Sequence, residues 1–254
     1  MRNLKTTRRR SSPLSRETIE ISQCSHEVKL RILRNLPFFD GLAAQDVAAI
    51  CGVFHDHGYA PGAPVYTAGQ SSTRLYAVAA GRVKLVRVGA SGQGFLIDML
   101  GEGEFFGSLA TIGEELYSDS ALAHTQSCVL AIDSNDFQAI LARHPSVALR
   151  LVGILADRLR LAHEQLEKLG GLGVEGRIAY TLLRLAKKFG EPRRSGTLIQ
   201  LPLSREDLGE MAGTTMESAS RAISRFSREG IIRTGRRWFA VADLRRLSHA
   251  AGAA

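Results

Sequence analysis

Cysteine is scarce in this 254-residue chain, in which Cys24, Cys51 and Cys128 lie far apart. No two of them have C-x-x-C spacing, so the sequence indicates no disulfide framework, and we expect reduced thiols. The chain has no apolar run near the roughly 18 residues that span a membrane. Its basic N-terminus is not followed by the apolar core of a secretory signal. These absences predict a cytoplasmic protein without a membrane partner.

The formal net charge of +8 is unevenly distributed along the chain. Residues 1–16 carry six basic and no acidic residues, residues 17–170 have a net charge of −5, and residues 171–254 have a net charge of +7. A basic C-terminal part joined to an acidic body indicates that this part binds a polyanion. Nucleic acid is the favoured polyanion, and an anionic membrane surface is the alternative.

The residue pattern divides the chain into four segments. Residues 1–25 are polar, arginine-rich and without periodicity, which predicts a disordered basic arm. Residues 26–143 contain short apolar runs punctuated by glycine, as in "RLYAVAAGRVKLVRVGASGQGFLIDMLGEGEFFG". This texture predicts an antiparallel β-roll, of jelly-roll type, with flanking helices. A long helix and a second domain follow, so the predicted fold class is α+β.

The long helix is predicted over residues 144–170. Its apolar residues include Leu151, Ile154 and Leu161, and the stripe is too long for one small roll to cover. We therefore expect the helix to pair with a second copy of itself, which makes the protein a homodimer. The sequence "GGLG" at residues 170–173 breaks the helix and is the predicted domain boundary.

Residues 171–254 have the pattern of a winged helix-turn-helix. Ser204 and Asp207 form a predicted capping box that begins one helix, and Gly213 makes the turn to the next. The segment "IIRTGRRWFAV" predicts a hairpin that turns at Gly235. Two short helices joined through a glycine and followed by a hairpin are typical of DNA-binding domains.

The second of these helices begins within "TTMESASRAISRF", residues 214–226. Thr214 and Glu217 match a helix cap, which predicts a start near Thr215. Alone, a polar face of this kind is typical of a solvated helix. In a winged helix-turn-helix, however, the same face enters the major groove.

Three residues of this face are predicted to read bases. Arg221 can donate two hydrogen bonds to guanine and Glu217 can accept one from cytosine, whereas Ser220 discriminates less. The remaining polar and basic residues are predicted to hold phosphates or position the helix. They are Ser204, Thr214, Thr215, Arg225, Arg236 and Arg237.

From about residue 36 onward the sequence resembles the CRP/FNR family of bacterial transcription regulators. The resemblance rests on "PGAPVYTAGQ", "GEGEFFGSLA", "EGRIAYTLLRLAKKFG" and above all "LSREDLGEMAGTTMESASRAISRFSREGII". It implies a cyclic-nucleotide-binding-like sensor domain, RNA polymerase as a partner and palindromic double-stranded DNA as the target. The E-x-x-S-R pattern of Glu217, Ser220 and Arg221 looks like the FNR-type reader, which implies a half-site similar to TTGA. Met216 stands where cyclic-AMP-binding members carry a further arginine.

The resemblance also implies an effector pocket, but one that departs from the cyclic-AMP type. Ser108 and Ser118 stand where the cyclic-AMP receptor has a glutamate and a phosphate-binding arginine, and Ala162 and His163 replace helix hydroxyls. Cyclic AMP is therefore not expected, because an arginine is the usual partner of a buried phosphate. The roll is either scaffold or the site of another ligand. The candidate pocket residues are Gly107, Ser108, Leu109, Ser118, Arg158 and His163.

The cofactor is unidentified from sequence. Three cysteines cannot supply the four thiolates of the iron–sulfur cluster found in oxygen-sensing relatives. A cluster with a non-cysteine ligand, a haem or metal on His26, His55 or His57, and a thiol sensor at Cys24 stay open as alternatives, and no metal site is assigned. The chain shows no nucleophile, base and orienter set, so we predict a non-enzyme. An enzyme's regulatory module and a non-specific DNA-binding protein are the rival interpretations.

Overall fold

The computed structural model describes residues 12–14, 25–90, 92–108 and 115–252. Most of the predicted arm, together with Cys24 and Leu109, lies outside these residues. The described chain forms two compact units, one ending at Gly170 and the other beginning at Gly171. The predicted α+β architecture of roll, long helix and winged helix-turn-helix is confirmed.

The described residues form eight α-helices and twelve strands, together with a short 3-10 helix at Pro37–Phe39. The helices are α1 (His26–Asn35), α2 (Ala44–Cys51), α3 (Ser134–Arg143), α4 (Pro145–Gly171), α5 (Val174–Phe189), α6 (Arg205–Met211), α7 (Met216–Arg228) and α8 (Leu244–Ala250). The strands are β1 (His55–Tyr59), β2 (Pro64–Tyr66), β3 (Arg74–Ala80), β4 (Val83–Val88), β5 (Gly94–Leu100), β6 (Phe105–Gly107), β7 (Ser120–Ala123), β8 (Ser127–Asp133), β9 (Gly190–Arg193), β10 (Gly196–Ile199), β11 (Ile232–Gly235) and β12 (Trp238–Val241).

The roll consists of two four-stranded antiparallel sheets. Their strand orders are β1-β8-β3-β6 and β2-β7-β4-β5. Short strands that contain valine, tyrosine and phenylalanine suit a pleated surface that is buried on at least one side. Gly107, at the end of β6, has a φ of +92°, and a Cβ there would lie 2.9 Å from the Arg74 carbonyl oxygen. The glycine of "FFG" is therefore required by the turn itself.

An apolar core lies where the helices of the first unit cover the roll. Phe38 packs edge-on against Phe39, Phe105 and Phe137, with ring centroids 4.6, 5.0 and 6.1 Å away. Edge-to-face packing of this kind adds specific contacts to the apolar area that is buried. The same cluster includes Val147 and Leu151 from the beginning of α4. The roll therefore holds the first turns of the long helix.

The long helix α4 has two apolar stripes with different surroundings. Leu151 is 8% exposed and Ile154 packs on the roll core, so the roll covers these two residues of the stripe that was expected to need a second copy as its cover. Leu161, farther along that stripe, is 51% exposed. A neighbouring stripe faces solvent along most of the helix and consists of Val152, Leu155, Leu159 and Leu166. The exposed apolar surface is therefore rotated by about one residue from the predicted one.

No single helix among the described residues is long and apolar enough to cross a membrane. Helices α3 and α4 pass that test only as a pair, bent by 111°.

The second unit is a four-stranded antiparallel sheet, in the order β11-β12-β10-β9, packed with four helices. Helix α5 buries Ile178, Leu182 and Leu185 at helical spacing. Strand β9 was not predicted because it contains Pro192, which an edge strand tolerates since its outer side forms no ladder. The α8 helix was also missed. The wing turns at Arg236 and Arg237, because Gly235 is already paired with Trp238.

Candidate nucleic-acid interface

The helix-turn-helix begins with the predicted capping box. The Asp207 amide donates to the Ser204 Oγ over 3.0 Å, and the Asp207 carboxylate accepts from the Ser204 amide over 2.8 Å. The Ser204 hydroxyl also donates to that carboxylate, over 2.6 Å. Ser204 therefore fixes the start of α6, which is the positioning part of its predicted role.

Two glycines allow α6 and α7 to approach each other. Gly213 has a φ of +58°, in the left-handed region that favours glycine. A Cβ on Gly209 would lie 3.1 Å from the Thr214 carbonyl oxygen, and the Thr214 amide donates to the Gly209 carbonyl over 2.9 Å. The turn is therefore short and closely packed, which fixes the angle at which α7 leaves it.

The cap of α7 is one residue later than predicted. Thr215, not Thr214, is the N-cap, and its Oγ1 accepts from the Ser218 amide over 3.2 Å. Glu217 is therefore not the reciprocal partner of a capping box. Its side chain is exposed, one residue inside the helix. A carboxylate in the first turn is favoured by the helix dipole.

Helix α7 separates an apolar face from a polar one. Ala219, Ala222, Ile223 and Phe226 are at most 3% exposed. Glu217 and Arg221 are exposed and Ser220 is partly exposed, so the three predicted base-reading residues lie on the outward side. Burial of the opposite side fixes the rotation of the helix about its axis.

Ser218 was not predicted as part of this site. Its Oγ accepts from the Arg221 guanidinium over 3.1 Å and from the Thr215 hydroxyl over 3.2 Å. These contacts orient Arg221 toward the N-terminal end of α7. The i, i+3 spacing of Thr215, Ser218 and Arg221 was the signal that could have revealed this chain of contacts.

Arg225 has carboxylate partners that the sequence analysis did not anticipate. Its Nη1 donates to both carboxylate oxygens of Glu175, over 3.0 and 2.8 Å, and its Nε donates to Glu229 over 2.9 Å. The hydrogen bonds that Arg225 donates to Glu229 and then to Glu175 raise the pKa of its guanidinium, and the same bond to Arg225 lowers the pKa of Glu229. These contacts do not support the predicted phosphate role, because the guanidinium is already neutralised.

The wing presents arginines at its turn. Arg236 is exposed, and Arg237 has a φ of +59°, the one positive φ of a non-glycine residue among those the structure describes. The Arg237 guanidinium donates to the Pro202 carbonyl over 3.4 Å, a long contact that leaves most of its donors for other partners. Both side chains are therefore placed where a phosphate could reach them.

The predicted effector residues are brought together only in part. Gly107 and Ser108 follow Phe105 in and after β6, and Arg158 of α4 donates to the Phe105 carbonyl over 2.8 Å. The Arg158 guanidinium also lies 3.8 Å from the Phe105 ring centroid, and its loss of hydration there lowers its pKa. The Ser118 carbonyl accepts from the Arg87 Nε of β4 over 2.9 Å. His163 is exposed on α4.

Asp119 is a further residue of the roll that the sequence analysis missed. The Tyr66 hydroxyl donates to its carboxylate over 2.9 Å. Burial, followed by the effect of Asp119, raises the pKa of Tyr66. The Tyr66 ring is stacked on Tyr117 at 3.9 Å, and Tyr76 and Phe106 stack beside them. The roll therefore carries a carboxylate directly after Ser118, beside a stack of aromatic rings.

The sequence also matches known domains and proteins. The cyclic nucleotide-binding domain matches residues 57–144 and the Crp-like helix-turn-helix domain matches residues 176–250. The chain is 34% identical to the cyclic AMP receptor protein of Thermus thermophilus over 203 residues, 80% of this chain and 91% of that protein.

Two further proteins are similar to this chain, one in sequence and one in fold. The CRP-like cAMP-activated global transcriptional regulator of Mycobacterium tuberculosis is 27% identical over 220 residues, 87% of this chain and 98% of that protein. The structure of FixK2 from Bradyrhizobium japonicum shares the fold with a TM-score of 0.70 at 23% identity, over 80% of this chain and 99% of that one.

The chain belongs to the CRP/FNR family of transcription regulators. Both domains of the family are present, so α6 and α7 form the DNA-binding helix-turn-helix of this CRP/FNR regulator and the roll is its cyclic-nucleotide-binding-like domain.

The cysteines and histidines of this CRP/FNR regulator add no metal centre among the described residues. No group of three or more histidine, cysteine or acidic residues there could hold a metal ion. Cys51 is a buried free thiol whose pKa is raised by burial, which makes it a poor nucleophile. The proposed thiol sensor Cys24 lies outside the described residues.

The cap position of α7 can be tested by paired substitutions. Thr215→Ala removes the hydroxyl that caps the helix and should destabilise the second unit by about 1 kcal/mol. Thr214→Ala removes a hydroxyl of the same kind one residue earlier and should have a clearly smaller effect. The measurement is urea unfolding followed by circular dichroism. The larger loss in Thr214→Ala would contradict the assignment.

Proposed function

We propose that this CRP/FNR regulator acts in the cytoplasm as a homodimer that binds an inverted repeat of TTGA-like half-sites and acts on RNA polymerase. The observation that carries the proposal is the outward polar face of α7, on which Glu217, Ser220 and Arg221 lie opposite a fully buried apolar face. A helix that leaves a tight helix-turn-helix in this way can enter a major groove with its N-terminal residues first.

Arg221 is proposed as the principal base-reading residue. Its guanidinium is already directed along α7 by the hydrogen bond to Ser218, so less conformational entropy is lost on binding. Two donors of an arginine match O6 and N7 of guanine, and the Glu217 carboxylate can accept from N4 of the paired cytosine. Ser220 adds a hydrogen bond with little base preference.

The phosphates are proposed to be held at two places. Thr214 and Thr215 lie at the N-terminus of α7, where free amide groups and the helix dipole favour an anion. Arg236 and Arg237 lie at the tip of the wing. These contacts supply affinity and register without sequence information.

The dimer is proposed to form through the exposed stripe of α4. Val152, Leu155, Leu159 and Leu166 recur at intervals of three, four and seven residues, which is coiled-coil spacing. They are 65%, 50%, 58% and 66% exposed in the single chain. So much regularly spaced apolar surface favours a second copy as its cover. Leu151 and Ile154 instead pack on the roll, and Leu161 lies farther along the same stripe.

The signal is proposed to differ from cyclic AMP, although relatives carry that ligand in their names. Ser108 and Ser118 supply no positive charge, and the adjacent Asp119 places a carboxylate in the roll beside Tyr66. A cyclic phosphate would be repelled by that carboxylate, and Ser118 does not supply the arginine that the resemblance places at that position. A different ligand, or none, then acts at the roll.

Base reading is tested with three duplexes and two kinds of variant. Arg221→Ala should cost about 1–3 kcal/mol per half-site on a TTGA-type palindrome and should flatten the preference for its G·C pair. Glu217→Ala should relax the same preference. The duplexes are that palindrome, one with the G·C pair replaced and one with altered half-site spacing. Each is titrated at several salt concentrations.

The matched control for base reading is Arg236→Ala on the wing. It should weaken binding to all duplexes alike and lower the salt slope by about one unit. Wild-type protein that binds the first two duplexes equally would refute base reading, since α7 would then hold phosphates alone.

The dimer seam is tested by placing charges on it. Leu155→Glu with Leu159→Glu should raise the dimer dissociation constant by about 100-fold or more, because buried carboxylates would face each other. Leu161→Glu, on an equally exposed residue of the other stripe, should change it little. The measurement is sedimentation equilibrium. An equal effect of both changes, or a monomeric wild type at micromolar concentration, would exclude this seam.

The effect of cyclic AMP is tested by titration on the same palindrome. Addition of the nucleotide should leave DNA affinity unchanged within about twofold, since Ser118 replaces the arginine expected to bind the cyclic phosphate. Isothermal titration calorimetry of the DNA-free protein checks binding directly. A large gain in DNA affinity on addition of cyclic AMP would show that the pocket is of the ordinary receptor type.

A further inference from the structure

Arg225 lies at the centre of a charged cluster at the C-terminal end of α7. The cluster consists of Glu175, Arg225, Glu229 and Arg246, from α5, α7 with its C-cap, and α8. Arg225 donates three hydrogen bonds to the two carboxylates. Arg246 donates to the Glu229 backbone carbonyl over 3.0 Å and lies 3.6 Å from its carboxylate. The four residues therefore join three helices.

The composition of this cluster argues against a phosphate contact. Two glutamates and two arginines carry no formal net charge, and the Arg225 guanidinium has a carboxylate on two sides. A phosphate at this position would meet the two carboxylates as well as the arginine, so its attraction would be largely cancelled. The cluster is thus unlike the wing, where Arg236 is exposed at a turn.

The location of the cluster connects it to base reading. Arg225 lies four residues after Arg221 and eight after Glu217, so the three side chains share one side of the helix. Glu175 is the second residue of α5, a helix that begins immediately after the glycine-rich segment at 170–173. Because an α-helix moves as a rigid rod over this length, a tether at one end sets the direction of the other.

We propose that Arg225 is a positioning residue for DNA reading, which holds α7 at a fixed angle to α5 through Glu175 and orients Glu229, the C-cap residue of α7 that Arg246 of α8 contacts. The proposal rests on the proposed base-reading function and adds a determinant of specificity outside the base contacts. The Arg225 contacts act mainly on the orientation of α7 and contribute little to the global free energy of unfolding. Exposed ion pairs stabilise folds weakly, whereas a guanidinium with several charge-assisted bonds restricts geometry.

The test compares four variants in the same two assays. Arg225→Ala and Glu175→Gln remove the tether, Arg225→Lys retains one charged contact, and Arg228→Ala is the matched control. Arg228 is exposed in the same last turn, and it donates none of the hydrogen bonds of the cluster. The assays are the ratio of affinities for the TTGA palindrome and its G·C-replaced form, and the slope of affinity against salt concentration.

If Arg225 positions α7, its loss should reduce discrimination between the two duplexes without reducing the salt dependence of binding. Arg225→Ala and Glu175→Gln should each lower the affinity ratio by about three- to tenfold and leave the salt slope unchanged. Combining them should add little, because both break one contact. Arg225→Lys should recover part of the ratio, and Arg228→Ala should leave it unchanged. A general loss of folding would lower both affinities together and leave the ratio as it was.

Two results would overturn the proposal. The first is a salt slope lower by about one unit in Arg225→Ala with an unchanged ratio, which is the behaviour of a phosphate contact. The second is measured on DNA-free protein. It tests whether the cluster holds α7 even if wild-type protein binds both duplexes equally and base reading is refuted. Hydrogen exchange along α7 should be faster in Arg225→Ala and Glu175→Gln than in Arg228→Ala. Identical exchange in all three would show that the cluster does not hold the helix.

Discussion

The burial of one side of α7 is the constraint on which the DNA-binding surface depends. Ala219, Ile223 and Phe226 are packed into the second unit, so the helix cannot rotate without exposing them. The side that remains outside carries Glu217, Ser220 and Arg221. Core packing and the proposed base reading both follow from one helical period. The short turn at Gly209 and Gly213 then fixes where the helix begins, and the cap at Thr215 fixes its first amide groups.

Helix α4 also has one apolar side that is buried, but a second apolar side of this helix stays exposed. Leu151 and Ile154 are used to attach the helix to its own roll, and Arg158 continues this attachment through the Phe105 carbonyl and ring. The neighbouring stripe has no cover in the single chain. One amphipathic helix can therefore serve the roll on one side and a second copy on the other. A perturbation of β6 would reach the helix through Arg158, which touches both.

Periodicity and capping signals predicted much of the fold and the candidate site from the sequence. Glycine-punctuated strands, the long helix, the Ser204 capping box and the outward face of α7 all depend on residues close together in the chain. The misplaced features depend on tertiary contacts. Arg225 finds Glu175 fifty residues away, and the roll decides which of two adjacent stripes on α4 is buried. The cap at Thr215 moved by one residue because two threonines stand side by side, and the turn geometry chooses between them. Strand β9 was not predicted because it contains Pro192, and the sequence does not show that β9 lies at the edge of the sheet, where proline is tolerated.

The most direct measurement is a crystal structure of this regulator bound to a TTGA-type palindrome. We expect α7 to lie in the major groove of each half-site and Arg221 to donate to O6 and N7 of the guanine. We also expect Arg225 to stay on Glu175. A complex in which Arg221 and Arg225 both contact phosphates, with no side chain of α7 within hydrogen-bond distance of a base edge, would contradict these expectations.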